Sequence, residues 1–317
     1  DNCTVAGAID QGIKNRRELN MNEIYLQLRE ESRKIVATLP VPKFYQHFAK
    51  EVNLSRQMLD SHPVLVRIKQ EIKPLIEDDF GHGVLHSDLV CVDAGAIVQI
   101  EMQQDIDENL TSRIENQILL VQTAGLLHDI KRKEKNHSAA GAEFARQFLS
   151  SQIYPFSSDE IDIVCSAILE HEAFKNRGKN DAASDLNIEE SGKADISGGL
   201  GSNSSNNNGS SSGLIRGGLI NKPKRSLISN SLYDADKFRW GTDNFTHTVW
   251  DMVIFANVPL SEFIRRYPAG MATLEQIKST FRTDTGKKYG PDFIDLGIET
   301  GNRLLKTIKT LNIITKK

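Results

Sequence analysis

Apolar residues recur along most of the chain at i, i+3 and i+4, the spacing of one helical face, and few segments alternate with the period of two that marks strands. Three such stripes open the pattern: MNEIYLQLREESRKIVATL, VPKFYQHFAKEVNLSRQML and VLVRIKQEIKPLIEDDF, with Pro40 and Pro42 separating the first from the second. Five more follow: GHGVLHSDLVCVDAGAIVQI, VQTAGLLHDIKRK, NHSAAGAEFARQFL, SSDEIDIVCSAILEHEAF and SLISNSLYDADKFRW. Asn136 is placed to N-cap the third of these, and Ser157 with Glu160 to form a capping box on the fourth. The C-terminal part predicts helices over VPLSEFIRRYP and MATLEQIKSTFRT and, after a Gly-rich turn, over PDFIDLGIETGNRLLKTIKTL. In that last segment Phe293, Gly297, Gly301 and Leu305 repeat every four residues, and the small ones predict close helix contact. The expected fold is all-α.

Several polar residues interrupt the apolar faces. His86 lies in step with Leu89, Val90, Asp93 and Ile97, His171 follows Ile168 by three, and Asp236 stands where the next core residue after Ile228 and Leu232 belongs. His128 and Asp129 are adjacent at the end of an apolar helical stretch, and His137 opens the helix striped by Ala140, Phe144 and Phe148. Imidazoles and carboxylates are costly in a core unless something binds them together, and a divalent cation does so directly.

The segments AGLLHDI, NHSAAGAEFA, AILEHE and LYDADKF, in that order after His86, resemble the HD-domain metal-dependent phosphohydrolases, most closely their small stand-alone bacterial members. The resemblance runs from about His82 to Trp240. It implies an HD-domain helical bundle with additional N- and C-terminal helices, and a divalent ion (Mn, Fe, Co, Ni, Mg or Zn) held by His86, His128, Asp129 and Asp236. Asp129, His137 and His171 are the implied catalytic group, and Lys131, Arg132 and Lys237 the implied phosphate contacts. His82 is expected to orient His86, Glu172 either to stand beside His171 as a general base or to be a surface residue, and Asp234 to support Asp236 from behind. One ion per chain is expected rather than two, because Glu172 occupies the place where some two-metal relatives carry another His. The implied reaction is hydrolysis of a phosphate ester in a small phosphorylated molecule, nucleotides first. A phosphodiesterase or nuclease of the same fold, a regulatory metal-binding module and a di-iron oxygenase stay open as alternatives. The chain departs from the pattern at Ile130-Lys131-Arg132, where many relatives continue Ile-Gly-Lys, and at Leu89, where many carry Arg.

Composition narrows the setting. A net charge of −3 over 317 residues predicts no general affinity for nucleic acid. No apolar run approaches the ~18 residues that span a bilayer. The start DNCTVAGAIDQGIKNRRE lacks a signal-peptide layout, and three cysteines without paired spacing argue against a disulfide framework, so the cytoplasm is the expected compartment. Cys91 and Cys165, in apolar helical runs, are expected to be buried and unreactive, and His47, His62 and His247 to be ordinary surface or core histidines. From Asn176 to about Ser226 the periodicity collapses into a Ser, Gly and Asn tract that cannot offset its ordering entropy by burial. The expected organisation is an N-terminal helical region (1–80), an HD domain (81–258) with a flexible insert (177–226), and a C-terminal helical region (259–317).

Overall fold

The computed structural model describes residues 21–76, 81–103, 110–174 and 225–310. The expected insert at 177–226 lies almost entirely outside them. Among the described residues there are helices and connecting turns and no strand, and no helix is long and apolar enough to cross a membrane.

A first helix, α1, runs through residues 21–36. It is followed by α2 (Lys43–His47), α3 (Ala49–Ser61) and α4 (Pro63–Ile72). The central part is α5 (Val84–Met102), α6 (Leu110–Leu127), α7 (His137–Leu149), α8 (Ser158–Leu169) and α9 (Leu227–Phe238). A π-helical turn at Asn244–Thr248 leads into α10 (Val249–Phe255), α11 (Leu260–Ile277) and α12 (Asp284–Thr310).

α5 is the axis of the molecule. It packs on α3, α6 and α9, and it is buried on every side from Val90 to Val98, as a helix apolar all round has to be. One apolar core extends from Leu28 in α1 through Phe44, Leu59, Ile97 and Leu127 to Phe238, Trp250 and Leu304. The N- and C-terminal helices close it: α3 covers α5, and α12 lies against α9, α2 and α5. Phe238 of α9 stacks on Phe293 of α12 with ring centroids 4.1 Å apart, and Phe44 of α2 meets both.

The capping box on α8 forms as expected: the Ser157 amide donates to Glu160 Oε2 at 2.9 Å and the Glu160 amide to Ser157 Oγ at 3.3 Å. Asn136 occupies the N-cap of α7 but its side chain makes no capping bond; its backbone carbonyl accepts from the Ala139 and Ala140 amides instead. The C-terminal segmentation differs from expectation in two places. α11 continues through Pro268, because Phe263, Tyr267, Leu274 and Ile277 fall on one face that α12 buries, and that burial outweighs the bond the proline removes. α12 starts at Asp284 rather than at Pro291, so the Gly-rich stretch is helix and not turn. Its glycines serve close approach: a Cβ on Gly286 would collide with the Asp234 carboxylate, and one on Gly297 would lie 2.9 Å from the backbone of Gly241.

Between α5, α2 and the end of α9 sits a buried polar knot. Arg239 donates to Asp93 and, at 2.7 Å, to the Tyr45 hydroxyl, and Tyr45 donates to Asp93 at 2.8 Å. Cutting one member leaves an ion without its counter-ion in the core. Arg239→Met is therefore expected to cost about 3–5 kcal/mol in urea unfolding. The exposed pair Arg303–Glu299 sets the contrast, Arg303→Met costing less than about 0.5 kcal/mol.

Candidate metal centre

Five helices deliver six of the polar residues singled out in the sequence to one place. His86 comes from the first turn of α5, His128 and Asp129 follow the end of α6, His137 is the first residue of α7, His171 lies two residues beyond α8, and Asp236 is in the last turns of α9. All six side chains are buried in the core, His128 completely.

Two helix ends use the same local device. His128 Nδ1 lies 2.7 Å from the carbonyl of Gly125, and His171 Nδ1 lies 2.6 Å from that of Ile168. Each imidazole folds back on a carbonyl of the last helical turn, one of the acceptors that a helix terminus leaves unsatisfied. The carbonyl can only accept, so Nδ1 carries a proton and Nε2 is the atom turned away from the helix, available to a cation once unprotonated. Both Nε2 atoms point at Asp129: His128 Nε2 is 3.3 Å from Oδ2 and His171 Nε2 is 3.4 Å from Oδ1.

The remaining groups fill in around the same carboxylate. His86 Nε2 stands 3.3 Å from His128 Nε2, 3.4 Å from Asp236 Oδ1 and 3.7 Å from Asp129 Oδ2. His137 Nε2 is 3.7 Å from Asp129 Oδ1 and 3.6 Å from Glu172 Oε1. Asp129 thus looks two ways, Oδ2 toward His86 and His128, Oδ1 toward His137 and His171. Oδ1 is buried and accepts no hydrogen bond. Ring nitrogens crowded to 3.3 Å beside two carboxylates, and a buried anionic oxygen with no donor among the described residues, are both relieved by a cation placed among them. Three sets have donor atoms close enough to share one ion: His86, His128 and Asp236; His82, His86 and Asp129; and Asp129, His137 and His171.

Charge states follow the packing. Burial would raise Asp129, yet His128 and His171 together with Arg132 hold it well below the usual carboxylate range. Asp236 is likewise held well down against burial by Lys237, His86 and His128. Burial lowers His86, and it takes His137 down to about 4 with help from Arg132, so these rings are neutral at physiological pH. His128 goes the other way: burial pulls it down, but Asp129 beside it and Asp236 raise it above its ordinary value.

The neighbouring residues divide sharply. Arg132 Nη1 donates to His137 Nε2 at 2.8 Å, which joins it to the site. Lys131 turns outward, 3.3 Å from Glu134 and over the ring of Phe144, and the structure does not bring it to the cluster. Lys237 is buried with its Nζ 2.5 Å from Asp236 Oδ2, flanked by the rings of Tyr233 and Trp240, so it serves as the counter-ion of Asp236. The His82 ring meets that of His86 edge-on at 4.8 Å. Asp234, two residues before Asp236, faces elsewhere: it accepts from the amides of Arg282 and Thr283 at 2.8 Å and from the Thr283 hydroxyl at 2.7 Å. Burial lifts Asp234 to about 6, while its neighbour in the helix is pressed down. Glu172, next to His171 in sequence, approaches His137 rather than projecting only to solvent. Cys91 and Cys165 are free and buried, away from this cluster.

Beside the cluster a cleft of about 160 Å³ opens, with His82, His86 and Arg132 at one end. Its far walls come from the π-helical turn, α10 and α11, including Val249, Met252, Val253, Phe263 and Leu274. The sequence pattern singled out none of these, since each is an ordinary apolar position of its helix. The π turn, an irregularity that often accompanies functional sites, is visible only in the backbone.

Residues 98–199 match the family model of the HD domain, a span that contains His128, Asp129, His137 and His171. His86 and Asp236 lie outside the matched span and are joined to it by the fold. Searches of curated proteins and of solved structures return no match. Residues 98–199 are therefore similar to the HD domain, which supports the resemblance of this part of the chain to the HD-domain metal-dependent phosphohydrolases.

Proposed function

We propose that the protein hydrolyses a phosphate ester of a small phosphorylated molecule with one divalent ion held by His86, His128, Asp129 and Asp236. The observation that carries this reading is the convergence of four imidazole Nε2 atoms on Asp129, whose Oδ1 is buried and unpaired. Such an ion supplies charge neutralisation at a phosphoryl oxygen and makes a water molecule acidic enough to attack near neutral pH.

The charge balance supports one ion. The two ionised carboxylates are offset by Lys237 and Arg132, and once His128 has shed its proton the centre is near neutral. One divalent ion then makes it two positive, the complement of a phosphate monoester dianion. A second ion beside His137 would have to displace the Arg132 guanidinium, whose hydrogen bond already occupies the His137 Nε2 lone pair. In this assignment Arg132 and His137 act as a unit that receives the phosphate, with charge-assisted hydrogen bonds from the guanidinium. His171, fixed by the Ile168 carbonyl, keeps Asp129 oriented. Glu172, partly open to solvent at 25% side-chain exposure, is placed to move a proton between water and the site.

Three outcomes are expected. Asp129→Ala loses both bound metal and turnover by elemental analysis and phosphate release, whereas His137→Ala retains about one metal per chain and loses roughly 10- to 100-fold in kcat/KM. Full metal in the first variant, or two ions falling to one in the second, refutes the assignment. Asp236→Ala reduces metal content, while Asp234→Ala keeps it but destabilises the fold by about 1–3 kcal/mol for each buried donor it orphans; the reverse order exchanges the two roles. Finally, His128 has to shed a proton before its Nε2 binds metal, and Asp129 holds that proton on above the ordinary histidine value. Metal affinity, measured by titration calorimetry, should therefore climb through pH 6.5 and beyond, by about tenfold per unit for each proton released, and a flat profile contradicts the ligand role of His128.

A further inference from the structure

We propose that the alcohol portion of the substrate is an apolar group about the size of a single ring, and that the cleft beside the metal centre receives it. This inference rests on the phosphate-ester reading above for its polar end and on the cleft for the rest.

The cleft is continuous with the site, because His86, a proposed ligand, and Arg132, the partner of His137, are among the residues that line it. A phosphate seated there points its ester oxygen and substituent along the remaining walls. Those walls are hydrocarbon: Val249, Met252 and Val253 of α10 face Phe263, Met271 and Leu274 of α11 across it. The polar side chains along them are mostly committed to other partners. The Tyr267 hydroxyl donates to the Gly301 carbonyl at 2.8 Å, Arg266 is paired with Glu262, and Arg239 with Asp93 and Asp243. A nucleobase entering this space would bury several donors and acceptors, with Asn244, the Trp240 indole, the Thr248 hydroxyl and the outer nitrogens of Arg266 as the remaining polar groups set among apolar walls. That cost disfavours a nucleoside and favours an alkyl or prenyl substituent, which loses nothing by leaving water. At about 160 Å³ the cleft is of the order that accommodates a benzene-sized group.

A homologous series tests this without confusing it with the reaction, because n-alkyl phosphates share one leaving-group chemistry and differ only in methylenes. With the full chain loaded with Mn²⁺, kcat/KM for phosphate release should rise about three- to fourfold per methylene from methyl phosphate to about hexyl phosphate and then level off. Glycerol phosphate and nucleoside monophosphates should fall with the methyl ester, at least tenfold below the hexyl ester. Met252→Trp, which fills the cleft, should abolish the rise with chain length, and Val249→Phe provides an independent filling variant if the first fails to fold. Binding of n-alkylphosphonates by calorimetry, with and without Mn²⁺, separates the two readings. A rising affinity with chain length but no turnover of any ester supports the cleft and sinks the hydrolase. Turnover that is flat along the series, or greatest for nucleotides, overturns the apolar substrate and leaves the hydrolase standing. Phosphonates whose affinity ignores chain length also overturn it.

Discussion

Asp129 and Asp236 are both ionised, both buried, and both within 3.7 Å of the His86 ring nitrogen. Two anions in a space that water barely reaches repel each other and forgo hydration, so the fold around them has to supply positive charge and hydrogen-bond donors. Part of the supply is built in: Lys237 on Asp236, and Arg132 reaching the far side through His137. The rest is left open, as an Asp129 Oδ1 with no donor among the described residues and the close ring nitrogens of His86 and His128 record. The same deficit is what lets the centre take a cation, and stability and function meet at that point.

The arrangement depends on helix ends more than on helix faces. His128, Asp129, His137 and His171 all sit at or just beyond a terminus, where the chain can turn a side chain inward and where free carbonyls stand ready to fix an imidazole tautomer. α9 is the exception and acts as the hub. Within six residues it sends Asp234 to hold the turn before α12, Asp236 into the metal centre, and Arg239, just past its end, to Asp93 and Tyr45. A displacement of this helix would disturb the C-terminal packing, the site and the α2–α5 junction together.

The HD core and the C-terminal helices contribute different things. The residues that would bind metal and phosphate come from α5 to α9, whereas the hydrocarbon walls beside them come from the π turn, α10 and α11. On the proposed reading, chemistry and recognition would be built on separate elements, so that the walls could vary without disturbing the ligands.

The helical class, most element positions and the six converging residues were legible in the chain, because a polar residue in phase with an apolar stripe has only the core to face. The capping box at Ser157 was equally readable, since both of its partners lie within four residues. Local patterns misjudged the C-terminal region: Pro268 and the Gly286–Pro291 stretch read as breaks, while burial against distant helices carries α11 and α12 through them. The choice between Lys131 and Arg132, and the partners that take Asp234 away from Asp236, were also beyond local pattern. Each turns on a partner remote in sequence or on the exact rotation of a helix: Glu134 and Phe144 against His137, Thr283 against His86. The sequence by itself determined which groups are driven inward, since hydrophobic periodicity is a property of neighbouring residues. Which inward groups meet, which of them are already paired and what kind of cleft opens beside them only the tertiary structure decided, since these are relations between segments that the chain order leaves far apart.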